Sequence, residues 1–176
     1  MGRDRWTSTS TLYLTPEAGD AWGEEAATTS QTGTQQITQA GEVTPPRDVT
    51  RALKLPPDAS AIARRRVMFL DGTPVEIVNS YYPATVAAGT GLAEPKKIPG
   101  GAVTLLARLG YHPDDVREDI TARLPNDEEQ QTLGISEHEP VLILHRLCLT
   151  NAGVPFEYAV MTMVARSSHL QYRLAG

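Results

Sequence analysis

The residues best suited to chemistry in this sequence are arginines placed on a strand. Arg64-Arg65-Arg66 lies within a run from Ile62 to Leu70, which meets a second run, Thr73 to Tyr82, across Asp71-Gly72. Asp-Gly between two β-rich runs predicts a hairpin whose two loop residues take positive φ. Closing the hairpin on those residues sets Arg65 opposite Val78 and Ala63 opposite Ser80. Alternation then gathers Ala63, Arg65, Val67 and Phe69 on one face with Val78, Ser80 and Tyr82, and turns Arg64 and Arg66 away. A guanidinium on a mainly apolar face needs an anionic partner, because an unpaired buried charge is costly. A carboxylate or phosphate on a small molecule would satisfy the planar fork with two hydrogen bonds. A structural pair with Glu76 or Glu157 would do the same from within the chain. Ser80 and Tyr82 add hydroxyl groups to that face. Gly100-Gly101 opens a helix and leaves backbone N–H groups free for an anion, a plain turn being the alternative. Arg123 and Arg146 sit in strand-like runs, where salt bridges with the acidic excess are the default.

Other chemistries find no support in the residue pattern. His112, His138, His145 and His169 are scattered, without metal-ligand spacing. There is no Gly-x-Ser-x-Gly elbow and no phosphate-loop pattern. Cys148 stands alone in the apolar run Leu147-Cys148-Leu149 and reads as a packed thiol. No catalytic residue, metal or cofactor is therefore expected. With 16 Lys and Arg against 21 Asp and Glu, the net charge of −5 includes no basic stripe, so this chain by itself is a poor nucleic-acid binder. No apolar run approaches the roughly 20 residues needed to span a bilayer. The charged start Met1–Trp6 has no apolar stretch behind it, and a lone cysteine suits a reducing compartment, which leads us to expect a cytoplasmic protein.

The elements that must position these residues read as one domain. Residues 1–34, rich in Thr, Ser, Gly and Glu, read as a linker-like and partly flexible segment, and residues 35–176 as the globular domain. Within the latter, Gln36 to Val43 is a strand. Thr44-Pro45-Pro46 starts a short helix with Thr44 as N-cap. Ala102 to Leu109 forms a helical stripe ended by Gly110, and residues 115–124 a polar strand. Asn126 and Glu129 open a helix over Asp127 to Leu133 as a capping pair. Val141 to Leu149 and Phe156 to Val164 form a second hairpin around Asn151-Ala152-Gly153, and Leu170 to Leu174 adds a last strand. Hairpin-joined strands outnumbering helices imply an α+β fold with an antiparallel sheet.

Three segments taken together resemble the UTRA domain, the effector-binding module of the HutC subfamily of GntR transcription regulators. The first is Arg64 to Val75 followed by Ser80-Tyr81-Tyr82-Pro83. The second is Ile98-Pro99-Gly100-Gly101, leading through a helix to Leu109-Gly110. The third joins Ala122–Glu129 to Pro140-Val141-Leu142 and Gly153–Tyr158. The resemblance implies a chorismate-lyase-like antiparallel sheet flanked by helices, a homodimer, and a small-molecule effector held between sheet and helices. It also implies that DNA is reached only through an N-terminal winged-helix domain absent from this chain. Under it, Arg65 matches an arginine that holds an anionic group of the effector. Val67 stands where sugar-binding members carry a second arginine, and Val78 where they carry a glutamate, which disfavours an amino sugar and favours a more apolar effector. Gly100, Gly101, Arg123 and Glu157 join the implied effector site. Met163 falls on the same strand face as Glu157 and would line it too, core packing being the alternative. Two other roles stay open: a stand-alone dimerising modulator of full-length regulators, and a chorismate-lyase-like enzyme, for which fold alone establishes no chemistry.

Overall fold

The computed structural model describes residues 6–17 and 19–173. In chain order, β1 (Trp6–Ser8), α1 (Thr11–Leu14) and α2 (Ala21–Ala27) precede β2 (Gly33–Val43) and α3 (Arg47–Ala52). The hairpin β3 (Ala61–Leu70) and β4 (Thr73–Pro83) follows, then α4 (Ala84–Ala87), a single 3-10 turn at Gly91–Ala93, and α5 (Gly101–Arg108). The chain closes with β5 (Asp115–Arg123), α6 (Asp127–Leu133), the hairpin β6 (Val141–Leu149) and β7 (Pro155–Val164), and β8 (Ser168–Leu170). Six strands form one antiparallel sheet in the order β2-β3-β4-β7-β6-β5, while β1 and β8 pair in parallel beside it. This is the α+β architecture that the sequence implies, an antiparallel sheet flanked by helices. The two hairpins are its local pieces, and β4 joins them by pairing Glu76 with Met163 and Ser80 with Ala159.

Local chemistry explains most boundaries. Asn126 accepts from the Glu129 N–H at 2.9 Å while the Glu129 carboxylate accepts from the Asn126 N–H at 3.0 Å, so α6 carries the expected capping box. The helix expected from Thr44 begins instead at Arg47, with Pro46 as its N-cap and no side-chain cap. The last strand ends at Leu170 rather than extending onward, and Leu174 lies outside the described residues.

The first hairpin turns at Asp71 and Gly72, with φ of 49° and 80°, and pairs Leu70 with Thr73 and Phe69 with Pro74 as expected. There the regular pairing stops. Met68 pairs with Glu76, so Val75 is one extra residue on β4 and the ladder carries a bulge. Pro74 has no N–H to give the ladder, and prolines within sheets are confined to such places. A slip of one residue sends a strand's side chains to the opposite face. Arg64 therefore faces Ser80, Arg65 faces Asn79, and Arg66 faces Val78. The expectation that Arg65 and Val67 share a face with Val78, Ser80 and Tyr82 is thus overturned. Arg64, Arg66 and Met68 occupy that face. Arg65 lies on the reverse, 25% exposed and paired with Glu128 of α6.

Both faces of the sheet are covered. On the reverse, Leu133 and Ile135 pack on Ile77, Val141, Ile143 and Val164. On the obverse, one cluster gathers Ile62, Tyr82, Leu92, Leu106, Cys148 and Phe156. The other joins Trp22 and Ala26 of α2 to Met68, Leu70, Met161 and Met163. The segment expected as a linker therefore contributes to the core. The Trp22 indole N–H donates to the Phe69 carbonyl at 3.1 Å. At Gly33 a Cβ would meet Trp22 Cδ1 at 2.8 Å and the Ala26 methyl at 2.9 Å, a spacing that only glycine leaves open. Truncating a buried tryptophan costs about 3–5 kcal/mol. Trp22→Ala should lose that much stability in chemical denaturation, and Gly33→Ala should lose stability too. A loss below about 1 kcal/mol for Trp22→Ala would mean that α2 does not belong to the folding unit.

Candidate functional site

Between the obverse face and the N-terminal segment lies a cavity of about 490 Å³, within the range of small-molecule sites. Its floor is Arg64, Arg66 and Met68 of β3, Glu76, Val78 and Ser80 of β4, Leu144 and Arg146 of β6, and Glu157, Ala159, Met161 and Met163 of β7. Leu12 and Tyr13 of α1 and Trp22 of α2 roof it, and residues 97–103 form a side wall ending in the first turn of α5. Gly100 and Gly101 hold φ of 77° and 80° there. A Cβ on Gly100 would also lie 3.0 Å from the Thr104 side chain.

Four cations line this space, and three are engaged. Arg64, 4% exposed, donates to the Glu94 carbonyl at 2.5 Å and to the Lys96 carbonyl, which ties the wall loop to β3. Burial, and after it the neighbouring Arg66, pull its guanidinium below the usual arginine range. Arg146 donates to Glu118 at 2.6 Å and to the Ser10 hydroxyl at 2.9 Å, and lies 5.8 Å from the Tyr13 ring. Burial pushes the Glu118 carboxyl up, but the Arg146 charge and hydrogen bond prevail and hold it below its ordinary value. Lys97 pairs with Asp20 of the α2 cap at 3.1 Å. Arg66 is different. Its one contact is the Ser80 hydroxyl at 3.4 Å, and its Nε is buried without an acceptor among the described residues. An unmet buried donor of this kind is expensive unless something else fills the space.

The acids are equally unusual. Glu76 is 4% exposed, and burial drives its carboxyl up to about 8 against the pull of Arg66 and Arg146. Glu25 accepts from the Tyr13 hydroxyl at 2.6 Å and the Thr9 N–H at 3.1 Å, yet burial still raises it. Glu157 accepts from the Tyr82 hydroxyl at 2.9 Å. Cys148 is fully buried, and burial followed by the nearby Glu157 pushes its thiol up, away from the thiolate a nucleophile needs.

Six of the ten residues singled out from sequence line this cavity: Val78, Ser80, Gly100, Gly101, Glu157 and Met163. Four do not. Arg65 and Val67 were turned to the reverse face by the bulge. Tyr82 lies on the obverse face but is wholly buried beneath the cavity, bonded to Glu157. Arg123 holds Glu129 with two bonds of 2.7 Å at the foot of α6. Arg64, Arg66, Met68, Glu76 and Arg146 are among the lining residues that sequence reasoning did not place in the site. A proline one residue into β4 was the available signal for the first four. Among the described residues no group of three or more His, Cys, Asp or Glu is placed to hold a metal, and no helix is long and apolar enough to cross a membrane.

The Glu76 shift makes stability depend on pH. Its unfolded value is about 4.5 and its folded value about 8. The folded state thus holds a proton that the unfolded chain releases in that interval. The resulting stability is complete below pH 4.5 and is lost as pH rises to 8, at up to about 1.4 kcal/mol per pH unit. In Glu76→Gln this loss disappears. Urea titrations at pH 5 and pH 8 should show the variant gaining on the wild type at the higher pH, and equal losses in both would refute the protonated Glu76.

Known proteins share this architecture. The UTRA domain model matches residues 30–168. An uncharacterized HTH-type transcriptional regulator of Streptomyces coelicolor is 36% identical over 115 residues, which are 64% of this chain and 43% of that protein. The chain therefore spans less than half of that regulator's length. The effector domain of PhnF from Mycobacterium smegmatis superposes with a TM-score of 0.76 at 17% identity, over 88% of this chain and 94% of that one. A GntR-family transcriptional regulator from Bacillus cereus gives 0.70 at 13% identity, over 81% of this chain and 99% of that one. These two share the fold. With its family model matching most of its length, the chain belongs to the UTRA domain family.

Proposed function

We propose that this chain is the small-molecule sensor of a GntR-type transcription regulator, binding an effector with an anionic group in the cavity between sheet and roof. The observation that carries this is Arg66, a cation on the cavity floor whose buried Nε has no acceptor among the described residues. Membership of the UTRA family and the similarity to a Streptomyces coelicolor regulator support the regulatory role.

The N-terminal segment supplies the route out of the site. Tyr13 ties α1 to α2 through Glu25, Ser10 ties the segment to Arg146 on the floor, and Trp22 ties α2 to the Phe69 carbonyl of β3. In a longer regulator, a DNA-binding domain attached ahead of β1 would be pulled by this roof, so effector binding would be read as a shift in roof position. A homodimer working beside its DNA in the cytoplasm fits such a role, two copies presenting two DNA-binding domains to a symmetric operator.

Thermal-shift screening over sugar phosphates, organic acids and lactones tests this. A true effector stabilises by RT ln(1 + [L]/Kd), about 2.7 kcal/mol at one hundred times Kd. Arg66→Gln should weaken binding about tenfold or more, the worth of one charge-assisted contact. Arg65→Gln should leave it unchanged, since its pair with Glu128 is on the far face. Equal loss in both variants, or no saturable ligand in any class, would end the sensor reading.

A further inference from the structure

The charges and walls of the cavity narrow the kind of molecule it takes. Lys97 and Arg146 are neutralised by Asp20 and Glu118. Arg64 meets only backbone carbonyls and Arg66 only a hydroxyl, which leaves two positive charges uncompensated by any partner. Glu157 is the one carboxylate on the lining set against them. Glu76 is protonated at neutral pH, accepts no hydrogen bond among the described residues, and offers its O–H to the same space as Arg66. Two arginines without a carboxylate partner face this space, a surplus that an anionic ligand group would offset.

The floor is mostly apolar beyond these groups, with Met68, Met161, Met163, Leu144 and Val78 below and Trp22 above, while Ser8, Tyr13, Thr15, Gln35 and Ser80 add polar side chains to the lining. Over the methionines the hydroxyls of a sugar would lose their water without a replacement. An apolar body would gain by leaving water, and three methionines adapt to its shape.

Resting on the sensor reading, we propose that the cavity takes a monoanionic carboxylic acid with an apolar body. Its carboxylate accepts from the Arg66 guanidinium and from the Glu76 O–H, an ionised acceptor between two donors, which makes both bonds strong. The body lies on the methionines beneath Trp22. Arg66, Arg146, Glu25 and Tyr13 are the charged and titratable groups around Glu76, from β3, β6, α2 and α1. Ionising Glu76 would put a second negative charge beside the ligand, so affinity falls as pH rises through its titration.

Calorimetry with the intact chain tests this on decanoate, 4-phenylbutyrate and trans-cinnamate, on their primary amides, and on glucose 6-phosphate and glucosamine 6-phosphate. We expect saturable binding of at least one acid at pH 7, at least tenfold weaker binding of its amide, and at least tenfold loss in Arg66→Gln. From pH 7 to pH 9 the wild-type affinity should drop severalfold, and in Glu76→Gln it should stay level, a readout independent of the arginine variant. Preference for decanoate over the two aryl acids, or the reverse, tells a chain-like body from a ring. Binding of the amide as tightly as its acid, or of the sugar phosphates alone, overturns the ligand class and leaves the sensor reading standing. Absence of saturable binding across this panel overturns the class, and its absence across the wider thermal-shift screen overturns the sensor reading with it.

Discussion

The pairing of β3 with β4 changes register one step past Pro74, where the regular ladder of the hairpin ends. It does so by admitting Val75 as an extra residue, so that Met68 meets Glu76. Everything in the site follows from that shift. It turns Arg64 and Arg66 toward the roof, places Glu76 within the pull of Arg66 and Arg146, and sends Arg65 to the reverse face. Without the bulge a single arginine would face the roof. With it, two do, and they divide the labour.

The division is visible in their partners. Arg64 spends its fork on the carbonyls of Glu94 and Lys96, and so holds the wall that leads to α5. Arg146 performs the corresponding service for the roof, linking Ser10 and Glu118 beneath Tyr13. Burying these charges is tolerable because each finds enough acceptors. Arg66 finds too few, and Glu76 beside it avoids the same penalty by keeping its proton. A sequence selected for stability alone would place neither group there. Functional sites are where such local inconsistencies are expected. The roof completes the arrangement, since Leu12, Tyr13 and Trp22 cover the floor and make the remaining interactions stronger than they would be at the open surface.

Much of this was legible from residue order. The Asp71-Gly72 turn, the Asn126–Glu129 capping box, the two hairpins and the glycines opening α5 all have local causes, and local causes are what a sequence shows directly. The face of each strand was less secure, because it depends on a register that one residue can invert. The chain Arg64-Arg65-Arg66 offers an arginine to either face, so its pattern gives no warning of a slip. Pro74 did, and weighing its missing donor would have exchanged Arg65 for Arg66. Residues 6–34 were harder still. Their helices α1 and α2 are short, and Trp22 is ordered by contact with Phe69, Met68 and Met163, partners far along the chain. No window of local sequence contains that information.

The central claim is that Arg66, and not Arg65, lies on the cavity floor beneath the roof. Hydrogen exchange at the arginine side chains, read by NMR at the Nε–H signals and assigned with Arg65→Lys and Arg66→Lys, tests it without any ligand. The account predicts a slowly exchanging Arg66 Nε–H, shielded beneath the roof, and a faster one at the partly exposed Arg65. A protected Arg65 beside a rapidly exchanging Arg66 would contradict it, and would return the hairpin to the register without a bulge.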